Sequence, residues 1–361
     1  VPRTRTPQVV AALVAGLMAL SSAACGGDGG AGEGGFRVGL LLPSRALPRW
    51  EHSDKPLIES GLKRLCPDCT MEYANAENDA ARQRQQISTM ITRGVGVLIL
   101  DAADTRALRS SIQEARRAGV PVVAYDRLAE GPISGFVSFD GGEVGRLQGE
   151  ALLKAMGPGA SGRTVVMMNG DPTSPNAAWY RRGALSVLEG KVKIARSYET
   201  LGWTAHNAHD NMSAAIAALG PDRIDGVLAA NDAIAAGVIS AFKKAGVRNP
   251  PPVTGQDADL EGLRRIVRGE QDMTVYKPFG KEAAAAAAMA VALGRGEEAD
   301  EVATTTIDSP TTKDIPSVLL KPNAVTAADI EKTLVRDGVY TVEQICTPKL
   351  RRACDRIGLT G

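Results

Sequence analysis

Short apolar runs alternate with amphipathic stretches along most of the chain. Residues 36–42 (FRVGLLL) are almost continuously apolar, the pattern of a strand buried on both faces. A helix is predicted over 55–65, a strand over 70–73, and then a helix with Ile87, Met90 and Ile91 on one face. Strand 95–100, helix 106–118 and strand 121–125 follow. The cycle then restarts. Strands are predicted at 163–168, 192–198, 226–230 and 252–254, and helices at 177–188, 207–219 and 233–245. A helix carrying Leu260, Leu263 and Ile266 leads into the β-branched run 273–276, and an Ala-rich helix covers 281–293. Repeated β-α alternation predicts parallel sheets wound on both faces.

The two halves echo each other. VGVLILDAADTRALRSSIQEARRAGVPVVAYDR (95–127) aligns with IDGVLAANDAIAAGVISAFKKAGVRNPPPVTGQD (224–257), placing Asp126 opposite Asp257. The fold class expected is therefore α/β, with two Rossmann-like, doubly wound lobes joined by a three-segment hinge. The boundaries expected are 36–139 with 279–306 for the first lobe and 140–278 with 307–345 for the second, followed by a tail at 346–361. The turn Asp140-Gly141-Gly142 is the expected first crossing, since glycine absorbs the dihedral changes of a hinge.

Ahead of the first strand the pattern is of another kind. Arg3 and Arg5 precede the apolar run 9–20, which is too short to span a bilayer and suits a signal peptide over 1–24. The segment SSAAC resembles a bacterial lipobox, which makes Cys25 the expected site of diacylation, although Ser22 stands where Leu is usual. The Gly-rich stretch 25–35 reads as a tether. Five cysteines are an odd count for an exported protein. A lipidated Cys25 leaves four, in two close pairs that are disulfide candidates: Cys66 with Cys69, and Cys346 with Cys354. A helix precedes Cys66, whereas a redox CxxC opens one.

Composition narrows the function. The formal net charge is +1 and no basic run is interleaved with aromatics, which argues against nucleic acid. GxGxxG after the first strand, P-loop, GxSxG and HExxH are absent from the sequence, so neither cofactor nor enzyme activity is expected. His206 and His209 have ligand-like spacing but lack a nearby third ligand, and read as a solvated helix face.

The chemistry-bearing residues gather just past strand ends, the edge where open α/β sheets bind ligands. Arg45, Arg49 and Trp50 follow the first strand; Asp126 and Arg127 end another. Asp171 and Asn176, then Trp203, then Asn231 and Asp232, and finally Asp257 and Lys277 complete the set. Sugar hydroxyls donate and accept, which suits Asp, Asn, Arg and Lys, and hydrogen bonds to charged groups contribute about 1.5–3 kcal/mol each. Flat rings suit the C–H faces of a pyranose. Asp232 and Asp104 also suit helix caps, Arg45 suits a solvated position, and Trp179, inside a helix, suits the core. Trp50 and Trp203 stand in polar loop surroundings and are expected to stack on a ligand.

Several segments carry a more specific resemblance: RWEHSDK (49–55), TRGVGVLIL (92–100), AYDRL (124–128), SFDGGEVGRLQ (138–148), AND (230–232), GQDADLEGLRRI (255–266) and MTVYKP (273–278). Over 36–345 the chain resembles the periplasmic sugar-binding proteins of ABC importers, of the type I, ribose-binding class, and within it the xylose-binding members. The resemblance implies that Arg49, Arg127, Asn176, Asn231, Asp257 and Lys277 hydrogen-bond a monosaccharide, that Trp50 and Trp203 sandwich it, and that Asp126 orients Arg127 or touches the sugar. It implies as partners an ABC permease with its ATPase, membrane contact only through a lipid anchor, and a monomer. One corner departs from the family pattern: Ser174-Pro175-Asn176-Ala177 stands where Asp-Asn-Asn-Ala is common. The alternatives are a receptor for glucose, galactose or arabinose, or a sugar sensor feeding a chemotaxis or kinase partner. A transcription regulator of this fold would need a helix-turn-helix where the export segment stands.

Overall fold

The computed structural model describes residues 34–360; the signal peptide, Cys25 and nearly all of the expected tether lie outside the described residues. The first lobe is built from β1 (Arg37–Leu42), α1 (Lys55–Leu65), β2 (Thr70–Asn75), α2 (Ala80–Thr92), β3 (Val97–Leu100), α3 (Arg109–Arg117), β4 (Val122–Tyr125) and β5 (Gly135–Phe139). The chain then forms α4 (Gly141–Met156), β6 (Thr164–Asn169), α5 (Pro175–Leu188), β7 (Lys193–Glu199), α6 (Ala205–Leu219), β8 (Gly226–Ala229), α7 (Asp232–Lys244), α8 (Leu260–Arg268) and β9 (Thr274–Tyr276). It returns through α9 (Phe279–Gly294), β10 (Thr305–Ile307) and β11 (Ile315–Leu320), and ends with β12 (Asn323–Val325), α10 (Val342–Ile345) and α11 (Arg351–Ile357).

The first sheet runs β10-β11-β5-β4-β3-β1-β2, parallel except for β10. Its central strands are apolar on both faces because helices cover both. The second sheet runs β7-β6-β8 and continues through a single parallel bridge, Val227 to Val253. Beyond it, Asp272 N–H and Val275 N–H donate to the carbonyls of Val253 and Gly255, which brings β9 alongside. The order β2-β1-β3-β4-β5 of one lobe is thus repeated as β7-β6-β8-Val253-β9 in the other. Asp126 N–H donates to Val137 O at 2.8 Å and Asp257 N–H to Val275 O at 2.9 Å, so the paired aspartates occupy equivalent places.

Four expectations are corrected. Residues 135–156 form a strand and a helix that the pattern does not predict, and Asp140 caps α4 by accepting from Glu143 N–H at 3.0 Å. The Gly141-Gly142 pair is therefore the first turn of a helix. Residues 307–320 are expected in the second lobe, but β11 pairs in parallel with β5 in the first sheet, so the boundary falls after Leu320. The expected strand 252–254 is reduced to its one bridge at Val253. The tail at 346–361 is no separate piece, because Leu350, Ala353, Cys354 and Leu359 pack into the cluster formed by Leu263, Ile266 and Val267 of α8. Disulfides Cys66–Cys69 and Cys346–Cys354 join the two expected pairs. The chain crosses between lobes three times: at Asp140, at Lys277-Pro278 and at Lys321-Pro322.

Helix packing sets the lobe edges that carry the site. Ala287 of α9 lies where a Cβ on Gly61 of α1 would approach to 2.9 Å, so small residues let the returning helix dock on the first lobe. None of the helices among the described residues is long and apolar enough to cross a membrane.

Candidate functional site

All nine residues expected at a ligand site come together. Arg49 and Trp50 follow β1, Asp126 and Arg127 follow β4, Asn176 opens α5, Trp203 follows β7, Asn231 follows β8, Asp257 follows the Val253 segment and Lys277 follows β9. They line one cavity of about 20 Å³ between the lobes, completed by Leu47, Ser174, Tyr180 and Gln256. That volume holds about one water molecule. Wider grooves of about 660 and 280 Å³ flank it, but neither gathers all of these groups.

Ion pairs close the cavity. Arg49 donates to both Asp54 oxygens at 2.7 and 3.0 Å, to Glu282 at 3.0 Å and to Asp126 at 2.8 Å. Lys277 Nζ lies 3.0 Å from Asp257 and 3.5 Å from Asp126. Contacts also span the lobes: Asn176 Nδ2 donates to Asp126 Oδ1 at 2.8 Å, and Arg49 lies 3.6 Å from Asp257. Asp126 is thus a hub, and its expected role of orienting Arg127 is not what the structure shows. Arg127 instead lies 3.3 Å from Asp101 and donates to Ala102 O at 3.0 Å.

Five acidic side chains (Asp54, Asp101, Asp126, Asp257, Glu282) face three cations here. Burial pushes the carboxyls of Asp101 and Glu282 well up, against the pull of Arg127 and Arg49 respectively. Burial also works against the Asp126 carboxylate, yet Lys277, Arg49 and Arg127 bring it down to about 2. Burial lowers Lys277, but Asp257, Tyr180 and Asp126 hold its ammonium well above the usual lysine range.

The two tryptophans are buried as well as cavity-lining. Trp50 is 2% exposed and starts a π-helical turn, Trp50–Asp54, in place of the expected polar loop. The Arg49 guanidinium lies 4.0 Å from the ring centroids of both Trp50 and Phe279, a cation–π sandwich. Trp203 ends a 3₁₀ turn, with its ring edge-on to Tyr180 at 6.1 Å. Asp171 holds that turn by accepting from Gly202 N–H at 2.5 Å. Among the cavity residues, Trp50 Nε1, Trp203 Nε1, Asn176 Oδ1 and Gln256 Oε1 are buried without a hydrogen-bond partner. Buried polar atoms are rarely left so, and a mix of donors and acceptors suits hydroxyl groups.

Backbone strain concentrates here too. Asp126, Trp203, Asp257 and Ala258 have φ of 57°, 58°, 89° and 52°. Such residues cost roughly 1–3 kcal/mol each and persist where surroundings over-determine them. Asn231 caps α7, accepting from Ile234 N–H at 2.9 Å, so the cap expected at Asp232 belongs to its neighbour. Asp104, expected as a helix cap, instead braces the turn before α3 by accepting from Arg106 and Ala107 N–H; α3 itself starts after Leu108 without a side-chain cap. Arg45 lies outside the cavity, paired with Glu51 at 3.3 Å. Trp179 is half-buried against Phe136 across the lobe boundary.

The sequence reading missed Tyr180, Gln256, Ser174, Leu47 and the supporting acids Asp54, Asp101 and Glu282. Two carried a signal. Tyr180 lies four residues after Asn176 on one helix face, and Glu282 is an acid within an alanine-rich apolar helix.

Comparisons agree with this geometry. A family model described as "Periplasmic binding protein domain" matches residues 38–298. The D-xylose-binding periplasmic protein of Escherichia coli (strain K12) is 35% identical over 86% of this chain and 92% of its own length. That of Haemophilus influenzae is 33% identical over 92% and 97%. A solved ABC transporter solute-binding protein from Clostridium phytofermentans with bound β-D-glucose is 28% identical, with a TM-score of 0.79 over 86% of this chain and 99% of that one. On this family match, these identities and this structural likeness, the chain belongs to the periplasmic binding proteins of type I fold, among their sugar-binding members.

Proposed function

We propose that the protein captures an aldopyranose, D-xylose foremost, between its lobes and delivers it to an ABC permease and its ATPase. The observation that carries this is the cavity itself. Three fixed cations, acidic partners and unpartnered donors and acceptors converge from both lobes beside two indole rings. A pyranose is far larger than the one water this cavity holds, so it enters with the lobes parted, replaces the ion pairs among these groups with its own hydroxyls, and stabilises a closed arrangement about the three crossings through contacts with both lobes. The relatives named for D-xylose support the pentose. Glucose, one hydroxymethyl larger, is the second reading, supported by solved neighbours from Clostridium phytofermentans and Chloroflexus aurantiacus that hold it. No group in the cavity needs to turn the ligand over. Diacylated Cys25 would keep the receptor at the outer face of the cytoplasmic membrane.

Calorimetric titration with xylose, glucose, galactose, arabinose and ribose tests the reading. Xylose should bind at micromolar affinity or tighter, about −8 kcal/mol or better. Absence of heat from all five sugars at millimolar concentration refutes it. Cys25→Ser should move the expressed protein from the membrane to the soluble fraction; continued membrane association refutes the anchor.

A further inference from the structure

Asp232 lines none of the cavity, yet it holds the Asp257 loop at several points. Its side chain is 1% exposed. Asp232 Oδ2 accepts from Asp259 N–H at 2.9 Å and from Thr274 Oγ1 at 3.1 Å, and Oδ1 accepts from Gln271 Nε2 at 2.6 Å. Thr274 Oγ1 in turn accepts from Ala258 N–H at 3.1 Å. Asp232 N–H donates to Gln256 O at 2.9 Å. Residues 256, 258 and 259 are thus tied to one carboxylate and its own amide, and the side chain of Asp257 is left to face Lys277 and Arg49. The loop needs such bracing, because Asp257 and Ala258 are both held at positive φ. Glycines make room for the carboxylate: a Cβ on Gly255 would lie 2.0 Å from Asp232 Oδ1, and one on Gly262 2.3 Å from Oδ2. The equivalent strand end in the first lobe is held differently, with Ser138 Oγ donating to Asp126 O at 2.7 Å.

We infer that Asp232 is a positioning residue, which sets the ligand-facing geometry of Asp257 and Gln256 from inside the second lobe. This rests on the sugar-binding reading of the cavity. An amide cannot replace the carboxylate. Whichever way the side chain introduced by Asp232→Asn is turned, its NH₂ meets either Asp259 N–H or Gln271 Nε2. Gln271 cannot turn to help, since its Oε1 accepts from Arg265 Nε at 3.0 Å and its Nε2 also donates to Met273 O at 3.0 Å.

The test pairs xylose affinity with amide hydrogen exchange on the full chain, measured without sugar. Asp232→Asn should weaken xylose binding at least tenfold. It should also speed exchange across residues 256–260 and leave α6 and β6 unchanged. Thr274→Val, which removes Oγ1 with its bond to Asp232 and the link on to Ala258 but keeps the Asp259 and Gln271 bonds, should weaken binding about three- to tenfold with a smaller exchange effect, and serves if Asp232→Asn does not fold. Affinity within twofold of the parent, or faster exchange throughout the second lobe, overturns the inference. If the parent binds no sugar, the functional reading fails, while the exchange data still decide whether Asp232 braces the loop.

Discussion

Replacing Arg49 by Met removes the charge at the centre of the cavity while keeping much of the side chain's length. Its guanidinium donates four hydrogen bonds to three carboxylates, Asp54, Asp126 and Glu282, and stacks between Trp50 and Phe279. Losing one partner of a buried charge network costs about 3–5 kcal/mol, because the carboxylates remain buried without compensation. Each lost cation–π contact adds roughly 0.5–2 kcal/mol. Part of this returns as the stranded acids take up protons, which leaves a net loss of about 4 kcal/mol. Against the usual 5–15 kcal/mol for a folded domain, that is a large fraction. With a urea dependence of roughly 3 kcal/mol per molar, the unfolding midpoint should fall by about 1 M. Arg49→Lys keeps a charge but loses the planar fork, and should recover less than half of the loss. Adding Glu282→Gln to Arg49→Met should restore some stability, since one stranded carboxyl disappears. Urea unfolding at pH 7 measures all three. A loss below about 1 kcal/mol for Arg49→Met, or a lysine variant as stable as the parent, refutes the reasoning.

Other consequences follow from the same geometry. Asp257→Ala strands Lys277 and removes a ligand acceptor, so xylose affinity should fall at least a hundredfold, about 3 kcal/mol, by calorimetry; unchanged affinity removes Asp257 from the site. Asp126, held down to about 2 against an ordinary 3.8, contributes about 2 kcal/mol that is present above pH 4 and lost as pH falls toward 2. A carboxyl carbon-13 titration should give that low midpoint, and one near 4 contradicts the assignment. Gly170→Ala sets a Cβ 1.9 Å from Cη2 of Trp203, so the indole must move; stability should fall by about 1–3 kcal/mol and xylose affinity at least tenfold, with a shifted tryptophan emission. Changing Cys346 and Cys354 together to Ser opens a short loop and should cost about 2–3 kcal/mol on denaturant unfolding, with the loss confined to the second lobe.

The site was more legible than its support. Asp126 and Asp257 could be paired from the echo in the chain because each repeat carries its own strand, helix and terminal acid. Both prove to share a positive φ and a backbone bond to the next strand. The strand 135–139 and the helix at 141–156 were hidden for a local reason. Glycines open both, and a glycine pair at a helix start reads as a turn when its aspartate cap is not recognised. Residues 307–320 were misplaced because nothing local in a strand names its partner; Val318 meets Val137 across a large sequence gap.

What the sequence determined by itself was local: side-chain periodicity, the repeat, the strand-end residues and the cysteine pairs at short range. Periodicity and capping act within a turn or two of chain, so they can be read without coordinates. The charge balance of the cavity was decided only by tertiary structure. Arg49 reaches Asp126 across 77 positions and Glu282 across 233. Burial then lifts the carboxyls of Asp101 and Glu282, while Lys277 and Arg49 hold Asp126 down. Desolvation and Coulomb forces depend on distances through space, and those exist only once distant stretches of the chain have folded together.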